Sequence, residues 1–258
     1  MAAGRERIVI ASLVAWLTDP AHWAGPEGIT QRLIEHTGYS LIALALAALI
    51  GIPLGMYIGH TGRGTFMVAG LANALRALPT FGLLILVTLP LISRLPGDLG
   101  FLVPSIAVLV VLAVPPILTS TYAGVQGVDL AARDAAYGMG MTGHEVLVKV
   151  EAPCALPLVF SGLRSAMLQI VATATIAAYV GMGGLGQFVM DGLAIRDYPQ
   201  MLAGAVLVAA LAVVVEVVLA AAQWLAVPRG LRGRAARRRP DDAGEVESDK
   251  TEHEPVAV

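Results

Sequence analysis

The chain has 258 residues, a mean hydropathy of +0.74 and only 14% charged residues, whereas soluble domains usually carry about 25% charge. Its apolar residues form several runs of roughly 20 or more, long enough to cross a bilayer as helices. These features exclude a water-soluble globular domain and predict an all-α membrane protein with several spans. The single cysteine, Cys154, excludes an intramolecular disulfide and a cysteine-based metal cluster, and we interpret it as a packing residue near a helix start.

The first 36 residues are predicted to form a separate N-terminal segment. Their apolar stretch at residues 8–17 contains only ten residues and is too short to cross a bilayer. We expect a helix lying in the membrane interface, with Trp16 and Trp23 at the depth of the headgroups. A spanning segment or a cleaved signal peptide is the alternative, although Asp19 fits a cleavage site poorly.

Five apolar segments between residues 37 and 227 predict five membrane-spanning helices. Their predicted bounds are residues 37–59, 66–92, 99–123, 158–180 and 201–227. The first segment contains the sequence GIPLG at residues 51–55, where glycines permit close approach of another helix and Pro53 permits a bend. The second segment is interrupted by Pro79 within the sequence ALPTFG.

Polar side chains in the second and fourth predicted spans indicate a translocation path. Asn73 and Arg76 lie one turn apart just before the break at Pro79, and Gln169 lies deeper in the fourth span. An arginine in apolar surroundings needs a partner or a water-filled cavity. We therefore interpret these four residues as lining the path or its inner gate. The alternative is that Arg76 reaches the cytoplasmic headgroups or pairs within the protein.

Two further charged side chains fall inside predicted spans. Arg164 lies near the inner end of the fourth span, and Glu216 lies about 18 Å from the inner end of the fifth. A carboxylate at that depth must be paired, protonated or hydrated. We expect Glu216 to pair with Arg164 or Arg76, and proton coupling is the alternative.

The sequence GMGGLG at residues 181–186 follows the fourth predicted span. Its spacing differs from that of a dinucleotide-binding fingerprint, and no strand–helix–strand pattern surrounds it. We expect Gly181, Gly183, Gly184 and Gly186 to end the helix and to form a tight turn at the outer face. The residues that follow, up to Pro199, are predicted to form a loop.

The longest polar interruption before the C-terminal tail is residues 129–157. A polar stretch of this length between two spans must lie in water or against another protein. Asp129 is a predicted N-cap for a short helix over residues 130–139. Gly140 then permits a sharp turn that a Cβ atom would hinder.

The second half of this stretch predicts another short helix, over residues 142–150. Thr142 and Glu145 have the spacing of a capping box at its start. Pro153 and Pro157 are expected to restart the chain into the fourth span. Two short helices at an angle would form a rigid knob that inserts into a groove of a partner.

This polar stretch resembles the motif by which permeases of bacterial ABC importers engage their ATPase. The residues that match the motif are Asp134, Ala135, Ala136, Gly140, Val150 and Pro153. The chain departs from the motif at Asp134, where glutamate is usual, and at Ala152, where leucine is usual. The resemblance implies that residues 129–157 form cytoplasmic coupling helices that dock on the ATPase.

From about residue 36 to residue 216 the chain resembles the osmoprotectant branch of these permeases, which imports glycine betaine, choline, carnitine or proline. The matching sequences are IGIPLG at residues 50–55, ALPTF around Pro79, TYAGVQGVD at residues 121–129, AAYGMGMT at residues 135–142 and TATIAAYVGMGGLG at residues 173–186. The resemblance implies the five-transmembrane-helix core of type I ABC importer permeases. Methionine-importing permeases share several of these features and are the alternative substrate class. A secondary transporter or channel without an ATPase is an alternative from a different class.

The resemblance also implies which partners the chain requires. Two copies, or this chain and a homologous permease, would surround a central path, and an extracellular binding protein would deliver the substrate. The sequence has no GxxxxGK[ST] phosphate-binding loop. We therefore expect a non-catalytic subunit with no metal or cofactor of its own, while ATP and Mg²⁺ are bound by the partner ATPase.

Residues 228–258 are predicted to form a disordered, charged tail, because six arginines are followed by an acidic stretch without apolar periodicity. We interpret the arginines as a patch facing anionic lipid rather than nucleic acid, which is the alternative. By the positive-inside rule the tail is cytoplasmic. With five spans the N-terminus lies outside a bacterial plasma membrane, although Arg5, Arg7 and Arg32 then count against the rule.

Overall fold

The computed structural model describes residues 2–64, 70, 74 and 77–228. Most of these residues lie in helices, and the described part of the chain contains no strand. In chain order the helices are α1 (Ala2–Thr18), α2 (Ile29–Thr61), α3 (Thr80–Ile92), α4 (Leu99–Gln126), α5 (Leu130–Gly138), α6 (Gly143–Val146), α7 (Ala152–Ala177), α8 (Gly186–Ile195) and α9 (Tyr198–Ala226). Two 3₁₀ turns, Pro20–His22 and Ala178–Val180, and a π-turn, Leu147–Glu151, lie between them.

Four helical segments in the described ranges are long and apolar enough to cross a membrane. They are Ile29–Thr61, Leu99–Gln126, Gly143–Val180 and Tyr198–Ala226. The prediction of an all-α membrane protein is therefore confirmed. The second predicted span is described only in part, as α3, and residues 229–258 of the predicted tail lie outside the described residues.

The core of the bundle lies between α2, α4 and α7, with α4 in the middle. Helix α4 packs extensively against both neighbours and carries the longest set of buried residues. Ile117 of α4 and Met167 of α7 are completely buried at this contact. Helix α9, in contrast, buries few of its residues, so its apolar surface is available to lipid or to another chain.

A row of glycines brings α2 unusually close to α4. Gly51, Gly55 and Gly59 are spaced one turn apart and lie on the same face of α2. A Cβ atom added at Gly59 would lie 2.6 Å from Cβ of Val125, and one added at Gly55 would lie 2.7 Å from Cβ of Thr121. The GIPLG sequence therefore mediates the close helix packing that we predict from it.

The N-terminal helix α1 packs against α9. Trp16 stacks on His22 with ring centroids 4.1 Å apart and meets Phe188 edge-on at 5.5 Å, while Trp23 is 44% exposed. The indole of Trp16 therefore fixes the end of α1 to the bundle. The depth of α1 in the membrane interface stays a prediction.

Helix α2 begins earlier than the predicted first span, which starts at residue 37. Its first two turns include Arg32 and Glu35, which form an ion pair at 3.2 Å, and His36, which is 1% exposed. These polar groups find partners on the helix or inside the bundle, so they do not end the helix. The predicted N-terminal segment of residues 1–36 consequently ends inside α2.

Two local predictions are wrong. Residues 142–150 do not form a separate short helix, because α6, the π-turn and α7 follow one another without a break. Pro153 directly follows the π-turn, in the first turn of α7, and Pro157 lies inside the helix. The predicted loop before Pro199 also contains a helix, α8, which ends at Arg196 in a left-handed conformation with φ 61°.

Candidate functional site

The polar interruption forms a short helix, a sharp turn and the start of a long helix. The Asp129 carboxylate accepts a hydrogen bond from the Ala131 N–H at 3.0 Å and caps α5. Gly140 has φ +84°, a conformation that favours glycine. The Thr142 hydroxyl accepts a bond from the Glu145 N–H, and the Glu145 carboxylate accepts one from the Thr142 N–H at 3.0 Å. The predicted cap, turn and capping box are all present.

The motif residues of α5 divide between its two faces. Asp134 and Ala135 are exposed, whereas Ala136 is 1% exposed and packs against the bundle. Large apolar side chains are also exposed here, notably Leu130 at 70% and Met139 at 71%. A polar segment that nevertheless presents apolar side chains is typical of a protein-binding surface. We call residues 129–157 the coupling segment.

The last motif residues belong to the long helix rather than to a separate knob. Val150 lies in the π-turn and Pro153 in the first turn of α7, and both are partly buried. The coupling segment is therefore a short helix packed beside the N-terminal extension of α7.

Glu151 is a functional candidate that the sequence reasoning missed. It occupies the variable position between Val150 and Ala152 of the motif, yet its side chain is only 2% exposed. Its carboxylate contacts His60 of α2 at 2.7 Å and Arg133 of α5 at 2.9 Å. An acidic residue one position before the Ala152–Pro153 pair carries no sequence signal of burial, so only the fold identifies it.

The glycine turn lies at the opposite end of α7 from the coupling segment. Gly181, Gly183 and Gly184 have φ values of +90°, +81° and +75°, which supports the predicted turn. The Gly184 N–H donates to the Glu35 carboxylate at 3.1 Å. Gly186 has no such backbone conformation, but a Cβ atom there would lie 2.3 Å from the Thr175 carbonyl oxygen. All four glycines are therefore required by the geometry.

The residues predicted to line the path are described only in part. Asn73 and Arg76 lie outside the described residues. Pro79 is the exposed N-cap residue of α3. The Gln169 amide donates to the Leu112 carbonyl of α4 at 3.0 Å, so this side chain joins two core helices. A role for these residues in a gate stays a prediction.

The two charged residues within the spans contact each other. Arg164 Nε donates to Glu216 Oε1 at 2.9 Å, and Arg164 Nη2 contacts the same oxygen. Arg164 Nη1 also donates to Gln223 Oε1 at 3.1 Å, while the Gln223 amide donates to the Pro157 carbonyl at 3.2 Å. The predicted Arg164–Glu216 pair is confirmed, and it joins α7 to α9.

Comparison with known proteins places this geometry in a family. Residues 51–230 match the family described as binding-protein-dependent transport system inner membrane component. The chain is 35% identical over 199 residues to the glycine betaine/carnitine/choline transport system permease protein OpuCB of Bacillus subtilis, covering 77% of this chain and 88% of that protein. It is 34% identical to the choline transport system permease protein OpuBB of the same organism, covering 78% and 89%.

A solved structure supports the fold independently. The MetNI methionine ABC transporter in an inward-facing conformation matches with a TM-score of 0.67 and 20% identity, over 78% of this chain and 96% of that chain. At this identity the likeness concerns the fold alone. Together with the family match over more than half of the sequence, it establishes that the chain belongs to the binding-protein-dependent inner-membrane components of ABC importers.

Proposed function

We propose that this chain is the permease of an importer for a small quaternary ammonium compatible solute, such as glycine betaine, choline or carnitine, and that it works with an ATPase and an extracellular binding protein. The observation that carries the proposal is the identity of 35% to the glycine betaine/carnitine/choline permease over 88% of that protein. Methionine is the second candidate, favoured only by the shared fold with the methionine transporter.

The coupling segment supports docking to an ATPase. Its exposed residues include the acidic Asp134 and the apolar Leu130 and Met139, which together offer both charge and apolar area to a partner. The chain performs no bond chemistry in this proposal. ATP and Mg²⁺ are held by the ATPase, whose closure moves the coupling segment and opens the path outward.

The exposed apolar surface supports pairing with a second permease. Helix α9 exposes Val213, Val217 and Trp224 by roughly three fifths or more, and α2 exposes Leu49 by 72%. The path itself would form between two such chains, either two copies or this chain and a homologue. The binding protein would deliver the solute at the end of the bundle that carries the glycine turn.

Transport by the complete importer tests the substrate class. The chain is expressed with its ATPase and its binding protein in a host without betaine uptake, and uptake of labelled glycine betaine is measured with excess choline or methionine. We expect uptake that choline suppresses and methionine does not. Transport of methionine without transport of betaine would overturn the substrate class and leave the ABC assignment intact.

Co-purification tests the docking surface. Asp134→Lys reverses a charge on the exposed face of α5, and Gly140→Pro alters the turn; we expect both variants to lose most of the bound ATPase. Asp191→Lys is the matched control, because it reverses an exposed carboxylate on α8. ATPase binding that persists in both coupling-segment variants would disprove docking at this surface.

A further inference from the structure

Glu151 joins two parts of the coupling segment to each other with one carboxylate oxygen and to helix α2 with the other. Oε2 accepts a bond from His60 Nδ1 at 2.7 Å, and Oε1 lies 2.9 Å from Arg133 Nε. His60 lies in the last turn of α2, Arg133 lies in the middle of α5, and Glu151 ends the π-turn before α7. One buried carboxylate, which belongs to the π-turn, therefore contacts residues of two further elements, α2 and α5.

A fourth element meets the same cluster through Arg133. Its Nη2 group donates to the carbonyl of Val125, in the last turn of α4. Gly59 places the backbone of α2 against this same Val125, so the ends of α2 and α4 are packed tightly together. The guanidinium group thus ties α5 directly to the end of α4 and, through Glu151 and His60, to the end of α2.

Little else attaches α5 to the bundle. Ala136 is the single buried residue within Leu130–Gly138, and a methyl group offers little apolar area. The His60–Glu151–Arg133 cluster, in contrast, has side chains that are 21%, 2% and 17% exposed. Charges that are removed from water persist only where they are paired, and removing one partner leaves the other uncompensated.

The cluster also reaches the start of the second half of the coupling segment. A Cβ atom at Gly143 would lie 3.4 Å from His60 Nε2, so the imidazole ring lies directly beneath the first turn of α6. The His60 side chain therefore lies between its own helix, α2, and the turn that follows Gly140. A displacement of α5 therefore acts on Glu151 through Arg133, and a displacement of α6 toward α2 meets the ring of His60.

We propose that Glu151 is a positioning residue that, through Arg133 and His60, transmits movement of the coupling segment to α2 and α4. The proposal rests on the proposed docking of the ATPase at this segment. It separates two roles: the exposed face of α5 binds the ATPase, and the buried cluster behind it conveys the motion to the spans. Loss of the cluster uncouples ATP hydrolysis from transport while the ATPase stays bound.

The experiment uses the complete importer reconstituted in liposomes, with its ATPase and binding protein. For each variant we measure the bound ATPase, the rate of ATP hydrolysis and the amount of glycine betaine transported per ATP hydrolysed. We expect Glu151→Gln to retain the ATPase and to lower the transport-to-hydrolysis ratio about fivefold to tenfold. Arg133→Gln is expected to do the same, and the double variant to be no worse than the worse single variant.

Two variants keep the test informative if Glu151→Gln folds poorly. His60→Gln leaves the Arg133–Glu151 pair in place and should lower the ratio by a smaller factor. Arg133→Lys keeps the positive charge but cannot contact Glu151 and the Val125 carbonyl with a rigid fork, so it should recover only part of the ratio. Gly38→Ala is the control, because a Cβ atom there meets no atom within 4 Å, and it should leave the ratio unchanged.

Three results would overturn the proposal. An unchanged ratio in folded Glu151→Gln and Arg133→Gln would show that the cluster conveys no motion. Loss of the ATPase from these variants would assign the cluster to docking instead. If the unaltered chain fails to bind the ATPase, both the proposed function and this inference are overturned. This outcome is distinguished from the other two because it is observed without any substitution.

Discussion

Arg164 and Glu216 show how a charged residue is tolerated in an apolar helix. The two side chains are 33% and 30% exposed, so neither is fully enclosed by the chain. The two charged groups nevertheless contact each other directly. Gln223 extends this network, because it accepts a hydrogen bond from Arg164 and donates one to the Pro157 carbonyl. We infer a structural role for this pair, because all of these contacts join α7 to α9.

We expect Glu216→Gln to destabilise the purified protein by about 1–3 kcal/mol, because Arg164 keeps an acceptor but loses the negative charge that strengthens its hydrogen bonds. The change removes the negative charge opposite Arg164 but preserves the side-chain volume. Arg164→Gln should have a similar effect, and the double variant should lose less than the sum of the two. The stability of all three variants is measured by thermal unfolding in detergent.

Uptake separates this structural role from proton coupling. In a structural role, Glu216→Gln keeps its transport rate per folded molecule and the dependence of that rate on external pH. A variant with an unchanged melting temperature but abolished or pH-independent uptake would contradict the structural role. That result would assign the carboxylate to proton movement instead.

At the scale of the element, the glycine row of α2 decides how closely two spans approach. We expect Gly59→Ala to destabilise the protein by roughly 1–3 kcal/mol, because the new methyl group would lie 2.6 Å from Cβ of Val125 and the helices must move apart. Gly38→Ala is the matched control in the same helix. It meets no atom within 4 Å and should be neutral or stabilising by up to about 1 kcal/mol.

Thermal unfolding of the two variants under identical conditions checks this prediction. Equal melting temperatures would mean that α2 and α4 adjust without cost at Gly59. Since Gly59 precedes His60, the same displacement should also weaken the contact between His60 and Glu151. Gly59→Ala should therefore lower the transport-to-hydrolysis ratio, whereas Gly38→Ala should not.

The local signals of the sequence predict elements well where the cause is local. The cap at Asp129, the turn at Gly140 and the capping box at Thr142 depend on neighbouring residues, and all three are present. Helix α6, the π-turn and α7 are continuous, and we attribute this continuity to packing against α2 and α4. Pro153 and Pro157 carry no signal of that packing, so the start of the helix predicted from them is wrong. Helix α8 was missed because its glycines and charges are typical of a loop.

Contacts between residues far apart along the chain are the part of the site that is hardest to predict from the sequence. Arg164 and Glu216 could be paired in advance because both are charges in apolar spans, which restricts the choice of partners. Glu151 lies in a polar segment, where an acidic residue is unremarkable. Its burial depends on His60, which is 91 positions away along the chain, and no spacing rule connects the two.

At the scale of the whole molecule, α7 separates two ends with different properties. Ala152, within the coupling segment, begins α7 and the glycine turn begins at Gly181, so roughly 40 Å of helix lies between them. That distance exceeds the ~30 Å hydrocarbon core, so we expect the two ends on opposite sides of the membrane. The six-arginine tail favours the cytoplasm for the coupling segment.

Thiol labelling tests this orientation, because the chain has only one cysteine. In a Cys154→Ala background, Met139→Cys marks the coupling segment and Ile195→Cys marks the end of α8; both native side chains are 71% exposed. We expect a membrane-impermeant maleimide to label Ile195→Cys in intact cells without the ATPase, and Met139→Cys only after permeabilisation. Labelling of Met139→Cys in intact cells would reverse the orientation. It would then be impossible for a cytoplasmic ATPase to reach Asp134, and the docking proposal would fail with it.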